Sequence, residues 1–102
     1  MFRITGKKGF QISFENGWTV SVQWGVGCYG DNHYGNWDHP APPSRTAEVA
    51  CWRGNSANMA QFSDGDTVQG WRTWAQVQQL LEAASAPFWN GPVGIEWVGE
   101  DE

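Results

Sequence analysis

The sequence predicts an α+β domain, in which one amphipathic helix packs on an antiparallel β-sheet of about four to six strands. Three patterns support this prediction. Apolar residues alternate with polar ones over residues 9–24, apolar residues recur at helical spacing over residues 73–86, and turn signals separate several short segments rich in β-formers. The length of 102 residues suits one domain, 1–102, that buries its own core.

The clearest element is a β-hairpin within residues 9–27, with its turn at Asn16-Gly17. A two-residue loop would place the apolar residues of the two strands on opposite faces of the sheet. A three-residue loop, with Glu15 included and Gly17 in the left-handed conformation, pairs Phe14 with Trp18 and gathers all of them on one face. We therefore predict the three-residue loop. The residues on the shared face are then Phe10, Ile12, Phe14, Trp18, Val20, Val22 and Trp24.

Shorter patterns predict the remaining strands. Phe2–Ile4 is a leading strand, and Thr46–Trp52 alternates small apolar residues with polar or aromatic ones. Asn58–Phe62 and Thr67–Trp71 are further strand candidates, and their register is left open. Val93–Trp97 also alternates, which predicts that the chain closes with a strand.

The helix prediction rests on a start signal, an apolar stripe and a stop signal. Thr73 and Gln76 form a T-x-x-Q capping box, and Pro87 ends the helix near Ala86. The apolar stripe expected to cover the hairpin consists of Trp74, Val77, Leu80, Leu81 and Ala84. The residues expected to face solvent are Gln76, Gln78, Gln79 and Glu82.

Composition narrows the class of partner and the compartment. The formal net charge of −5 argues against binding to duplex nucleic acid, which needs a basic surface. Eight Trp residues exceed what one small core needs, so we expect part of the aromatic surface to line a groove or an interface. The first residues lack the apolar core of a signal peptide, and no run approaches a membrane span. These features predict a cytoplasmic protein with two free thiols.

Residues 28–45 form the longest irregular stretch, and we predict that it binds a ligand. Its aromatic rings can stack on a base or a sugar, and its polar groups can donate to phosphate or hydroxyl oxygens. The alternative is that the same aromatic residues only pack the loop onto the sheet. The predicted ligand-binding residues are Tyr29, Asn32, His33, Tyr34, Trp37, His39 and Arg45.

Other chemistries in this stretch have weaker support. Cys28, His33, His39 and the later Cys51 supply zinc-ligand residue types, but their spacing matches no standard zinc motif. Cys28 with His33 and a nearby aspartate would form a nucleophile and base, yet no family signature surrounds them. We therefore predict no metal, no cofactor and no enzymatic activity.

The start of the predicted helix offers a second place for an anion. Trp71 and Trp74 flank it, Arg72 lies between them, and the positive end of a helix attracts anions. Contact between Trp74 and the sheet is the simpler expectation, with a phosphate site as the alternative.

One segment resembles known sequences. FENGWTVSVQWG, followed by G-x-Y, is similar to the opening of small, mostly uncharacterised bacteriophage proteins. The resemblance is strongest over Gly9–Asn32, with a weaker echo over Asp66–Leu81, and covers less than half of the chain. It implies a small accessory protein in the cytoplasm of a host bacterial cell, and it assigns no functional residue.

Three functions remain open. The favoured one is a counter-defence protein that sequesters a small nucleotide-like immune signal in an aromatic pocket. The alternative is an acidic inhibitor that binds and blocks a host defence protein, and the third is a small hydrolase built on Cys28 and His33. Self-association of the chain is compatible with the first two.

Overall fold

The computed structural model describes residues 1–5, 8–25 and 44–99. It shows the α+β fold that the sequence predicts: a five-stranded antiparallel sheet with one helix packed against it. The sheet is a meander, because the order of its strands follows the chain. The elements are β1 (Phe2–Ile4), β2 (Gly9–Ser13), β3 (Trp18–Gln23), β4 (Thr46–Arg53), β5 (Gln69–Thr73) and α1 (Trp74–Ala84).

The hairpin of β2 and β3 has the predicted three-residue loop. The Phe14 N–H donates to the Trp18 carbonyl at 2.8 Å, and the Gly17 N–H donates to the Phe14 carbonyl at 3.0 Å. Gly17 has a φ of 93°, which glycine adopts without a steric penalty. Phe10 pairs with Val22 and Ile12 with Val20, so the apolar side chains of both strands lie on one face.

Helix α1 begins with the predicted capping box. The Thr73 hydroxyl accepts from the Gln76 N–H at 3.3 Å, and the Thr73 N–H donates to the Gln76 side-chain oxygen at 2.9 Å. The helix ends at Ala84, two residues before the predicted end at Ala86. Its buried face also differs from the predicted stripe, because Trp74 is 64% exposed whereas Gln76 is buried.

Val93–Trp97 forms no strand, so the prediction that the chain closes with one is wrong. Gly91 and Gly94 have φ values of 111° and 88°, which turn the backbone out of the extended conformation that a strand requires. Residues 93–98 instead form an irregular segment that lies beside α1. Its position explains why the solvent-facing prediction fails for Gln76 and Gln79. The Gln79 amide donates to the Glu96 carbonyl at 2.7 Å and accepts from the Val98 N–H at 3.0 Å.

The middle of the chain is less regular than predicted. Asn58–Phe62 forms no strand, and its one ladder contact is an isolated bridge between Met59 and Trp52. Strand β5 begins at Gln69, two residues later than expected, and carries a bulge opposite β4. Trp71 lies in this bulge with a φ of 51°, a left-handed conformation that is uncommon for a residue with a side chain.

The core lies between α1 and one face of the sheet. Within the described residues, α1 packs on β3, β4 and β5. The apolar side chains of β1 are therefore left open: Phe2 is 60% exposed and Ile4 68%. No helix within the described ranges is long and apolar enough to cross a membrane. The buried core consists of Trp18, Val20, Val22, Ala47, Val49, Cys51, Phe62, Val77, Leu80 and Ala84.

Candidate functional site

Most of the predicted ligand-binding residues fall outside the described part of the chain. Those that do are Tyr29, Asn32, His33, Tyr34, Trp37 and His39. Arg45 is the one predicted site residue that the structure describes. It is exposed and directly precedes β4.

Arg45 lines a groove between the sheet and the first turn of α1. The groove has a volume of about 410 Å³, within the range of small-molecule sites. Its floor is apolar, with Val22 and Ala47 from the sheet and Val77 from the helix. The described lining residues are Phe10, Val22, Trp24, Ser44, Arg45, Thr46, Ala47, Arg72, Trp74 and Val77.

Two indole rings from separate elements line this groove. Trp24 directly follows β3 and is half-buried, with its ring centroid 6.1 Å from that of Phe10. The Trp24 N–H donates to the Lys8 carbonyl at 2.7 Å, which fixes the backbone as it leaves the sheet. Trp74 is the first residue of α1 and stays largely exposed. The groove therefore presents two aromatic surfaces against which a planar ligand can pack.

The described lining of the groove carries a charge opposite to that of the whole chain. Arg45 and Arg72 both line it, and its described lining contains no Asp or Glu. The chain as a whole carries eleven Asp or Glu and six Lys or Arg. A cleft lined by one sign of charge over apolar walls concentrates ligands of the opposite sign. An anionic ligand is therefore favoured here, although the protein is acidic overall.

Neighbouring groups fix the position of Arg72. Its Nε–H donates to the Gly70 carbonyl at 2.9 Å, and its guanidinium carbon lies 5.2 Å from the centroid of a Trp97 ring. A cation over an aromatic face is attracted by the negative charge of that face. The planar guanidinium is thus held beside the groove before any ligand arrives, which reduces the entropy lost on binding.

The start of α1 adds to the positive potential. The helix has no acidic residue in its first turn, so no carboxylate there neutralises the partial positive charge of the N-terminus. Trp74, the first residue of the helix, itself lines the groove. The simpler expectation for this region was contact of Trp74 with the sheet. The Trp74 ring is instead largely exposed and lines the groove together with Arg72.

Volume alone does not distinguish this groove from other depressions. Three others, at the β5 edge, on the second face of the sheet and at the hairpin tip, have volumes of about 400–410 Å³. Among these four depressions, the groove alone combines two indoles with two guanidinium groups in its described lining. Its lining, and not its size, makes it the candidate site.

Cys51 takes no part in this site. It lies on β4, opposite Val20 and fully buried in the core. Burial raises the pKa of its thiol to about 12, so it remains protonated at neutral pH and lacks the thiolate that attacks electrophiles or binds zinc. Within residues 1–5, 8–25 and 44–99, no group of three or more His, Cys, Asp or Glu is placed to hold a metal ion. Cys28, His33 and His39 lie outside those ranges.

Sequence reasoning missed Trp24 as a site residue, because its alternation with polar neighbours predicts a core position. It also predicted that the Trp74 ring contacts the sheet. The available signal was local: Trp74 and Arg72 lie next to a helix start without acidic residues. That Trp24 and Arg45 join them follows only from the meander, which brings the end of β3 beside the start of β4.

A scan against protein-family models, a search of curated proteins and a search of solved structures found no match to this chain.

Proposed function

We propose that this protein binds a small nucleotide-like ligand in the groove between Trp24 and Trp74. The base packs against the indoles, and the phosphate binds Arg45 and Arg72. The observation that carries the proposal is the lining: two of the six cationic side chains of an acidic protein meet beside two indoles, with no acid among the described lining residues.

The energies of these contacts are of the size that micromolar affinity requires. Stacking of one base on one aromatic ring contributes about 1–3 kcal/mol, and a hydrogen bond to a charged group about 1.5–3 kcal/mol. Two stacks with two guanidinium contacts sum to about 5–12 kcal/mol. This range includes the roughly 8 kcal/mol of micromolar binding, before the entropy cost of association is subtracted. Val22, Ala47 and Val77 form the apolar floor of the groove. Burial of the edge of the base against this floor adds a hydrophobic contribution to the binding free energy.

We further propose that binding serves sequestration of a nucleotide immune signal in a bacterial cytoplasm. Support for this role comes from the similarity of the FENGWTVSVQWG segment to bacteriophage proteins. A small protein that holds a signal nucleotide without altering it lowers the free concentration of that signal, and this requires affinity rather than a catalytic group.

The test combines native mass spectrometry with calorimetric titration. The mass of protein purified from bacteria under native conditions shows whether a small molecule is bound. The protein is then titrated with a panel of mono-, di- and cyclic nucleotides. We expect Trp74→Ala to weaken binding about tenfold or more, from loss of one stacking surface. Phe88→Ala is the matched control, since Phe88 is an exposed aromatic that does not line the groove. Absence of a bound molecule and of any titration signal contradicts the proposal.

A second candidate is the acidic inhibitor of a host defence protein. The observation that favours it is the segment after α1, where Phe88 is 92% exposed and Val93 74%. Exposed aromatic side chains are frequent anchors of protein interfaces. The same variants separate the two functions: loss of partner binding in Phe88→Ala but not in Trp74→Ala supports the inhibitor, and high salt is expected to weaken that complex.

A further inference from the structure

Strand β1 forms an edge of the described sheet with unpaired backbone groups. Met1 and Ser13 exchange hydrogen bonds at 2.6 Å in both directions, and the Thr5 N–H donates to the Gly9 carbonyl at 3.0 Å. Paired and unpaired positions alternate along an antiparallel strand. The N–H and C=O groups of Phe2 and Ile4 therefore point away from β2, where an added strand would meet them.

The same two residues expose apolar side chains beside this edge. Phe2 and Ile4 pair with Ile12 and Phe10, so their side chains lie on the core side of the sheet. The Phe2 ring centroid is 5.6 Å from that of Phe10, yet Phe2 and Ile4 stay 60% and 68% exposed. A strand added to β1 would continue this apolar surface with its own apolar side chains.

The two edges of the sheet differ in protection. Strand β5 carries a bulge with Trp71 in a left-handed conformation, and bulges interrupt the regular edge that another strand needs. Strand β1 pairs with β2 over Phe2–Ile4 without a register shift and contains no proline. Its protective features are its shortness and the charge of Arg3.

Charge near β1 indicates what kind of strand fits. Residues 1–14 contain Arg3, Lys7 and Lys8 and no acidic residue, whereas the rest of the chain holds three Lys or Arg and all eleven Asp or Glu, a formal charge of −8. Arg3 is exposed on the second face of the sheet, opposite Gln11. A second copy of β1 would place Arg3 against Arg3 when all four outward backbone groups are paired, and like charges directly opposite are destabilising.

We propose that β1 is a docking edge for an extended acidic segment of a partner protein, which adds to the sheet as a further strand. Backbone hydrogen bonds to Phe2 and Ile4 supply affinity, as in other cases of strand addition. Alternate side chains supply specificity: apolar ones pack beside Phe2 and Ile4, and acidic ones face Arg3. This surface is separate from the groove, and its occupancy does not depend on a nucleotide ligand.

The test uses the whole chain and a designed peptide probe in which Val and Glu alternate. Titration is followed by NMR, together with amide hydrogen exchange. We expect the signals of β1 to shift and the Phe2 and Ile4 amides, open to solvent in the free protein, to gain protection. A peptide with Val and Lys alternating is expected to bind more weakly, and added salt is expected to weaken the Glu peptide.

Two variants show whether binding uses the strand edge. Ile4→Pro removes an outward N–H and no hydrogen bond to β2, so it is tolerated at an edge. It is expected to weaken the Glu peptide about fivefold or more, the factor that one net hydrogen bond represents. Ile4→Val is the matched control with unchanged binding. Arg3→Glu, which keeps the backbone intact, is expected to weaken the Glu peptide and strengthen the Lys peptide.

Three results would overturn the proposal. One is equal binding of the Glu and Lys peptides. Another is unchanged binding of the Glu peptide by a folded Ile4→Pro or, where that variant is unfolded, by Arg3→Glu. The third is a dimer of the free protein that is seen by sedimentation and abolished by Ile4→Pro. Such a dimer would assign the edge to a second copy of this chain.

Discussion

At the scale of single residues, Asn16 joins two distant parts of the chain. Its side-chain oxygen accepts from the Trp18 N–H at 3.0 Å, which orders the hairpin turn. Its side-chain amide donates to the Ala84 and Ala86 carbonyls, each at 2.7 Å, where α1 ends. The last carbonyls of a helix have no partner inside the helix. One turn residue therefore shapes the hairpin and caps the helix that covers it.

Replacing Asn16 separates these two contributions. Asn16→Ala loses all three hydrogen bonds and is expected to lower the free energy of unfolding by about 2–3 kcal/mol, at about 1 kcal/mol for each. Asn16→Asp keeps an acceptor for Trp18 but turns a carboxylate towards two carbonyls at the negative end of α1. We expect urea unfolding to show Asn16→Asp less stable at pH 7 than at acidic pH, relative to the unmodified protein. Gln78→Ala, on the exposed face of α1, is the control and is expected to change stability little. Equal losses of unfolding free energy in Asn16→Ala and Gln78→Ala would contradict the stabilising role of Asn16.

At the scale of elements, the bulge in β5 sets the geometry of the groove. A left-handed residue costs about 1–2 kcal/mol when it carries a Cβ, and Trp71 adopts this conformation one residue before Arg72. A bulge lets two successive side chains depart from strict alternation. Arg72 then lies over Trp97 on one side and lines the groove on the other.

A pair of substitutions at Trp71 measures the cost of this conformation. Trp71→Ala and Trp71→Gly remove the same indole contacts, but only alanine keeps a Cβ in the left-handed region. We expect the glycine variant to be more stable than the alanine variant by about 1 kcal/mol, measured by chemical denaturation. In an ordinary strand position the glycine variant would be less stable than the alanine variant. A less stable Trp71→Gly would therefore show that the bulge is absent.

Local patterns predicted the elements that local rules determine. The parity of apolar residues around Asn16-Gly17 fixed the hairpin register, and Thr73 with Gln76 fixed the start of α1. The same alternation failed for Val93–Trp97, because Gly94 within it and Gly91 just before it have positive φ values that override the side-chain pattern. The buried position of Gln76 was not predictable from the helix, since its partner Val98 arrives from a segment 22 residues away.

At the scale of the whole molecule, α1 covers part of the sheet and leaves the rest open. The helix packs on β3, β4 and β5, and the C-terminal segment continues the cover through Trp89, whose carbonyl accepts from the Trp18 indole at 3.0 Å. The groove lies at the N-terminal end of α1. Its defining side chains come from three parts of the chain: Trp24, Arg45, and Arg72 with Trp74. The sequence therefore indicated Arg45 and the helix start as two separate candidate sites and did not indicate Trp24. We propose that these four side chains act together on one ligand.

Indole N–H signals in an NMR titration show whether Trp24 and Trp74 contact the same ligand. The protein is titrated with the nucleotide that it binds most tightly, and the tryptophan indole signals are assigned by single substitutions. We expect the Trp24 and Trp74 signals to shift together with one dissociation constant, and Arg45→Ala to weaken that constant. The Trp52 signal should stay unchanged, because this indole lies on the second face of the sheet, opposite Thr19. Shifts at Trp52 without shifts at Trp24 and Trp74 would contradict the proposed site.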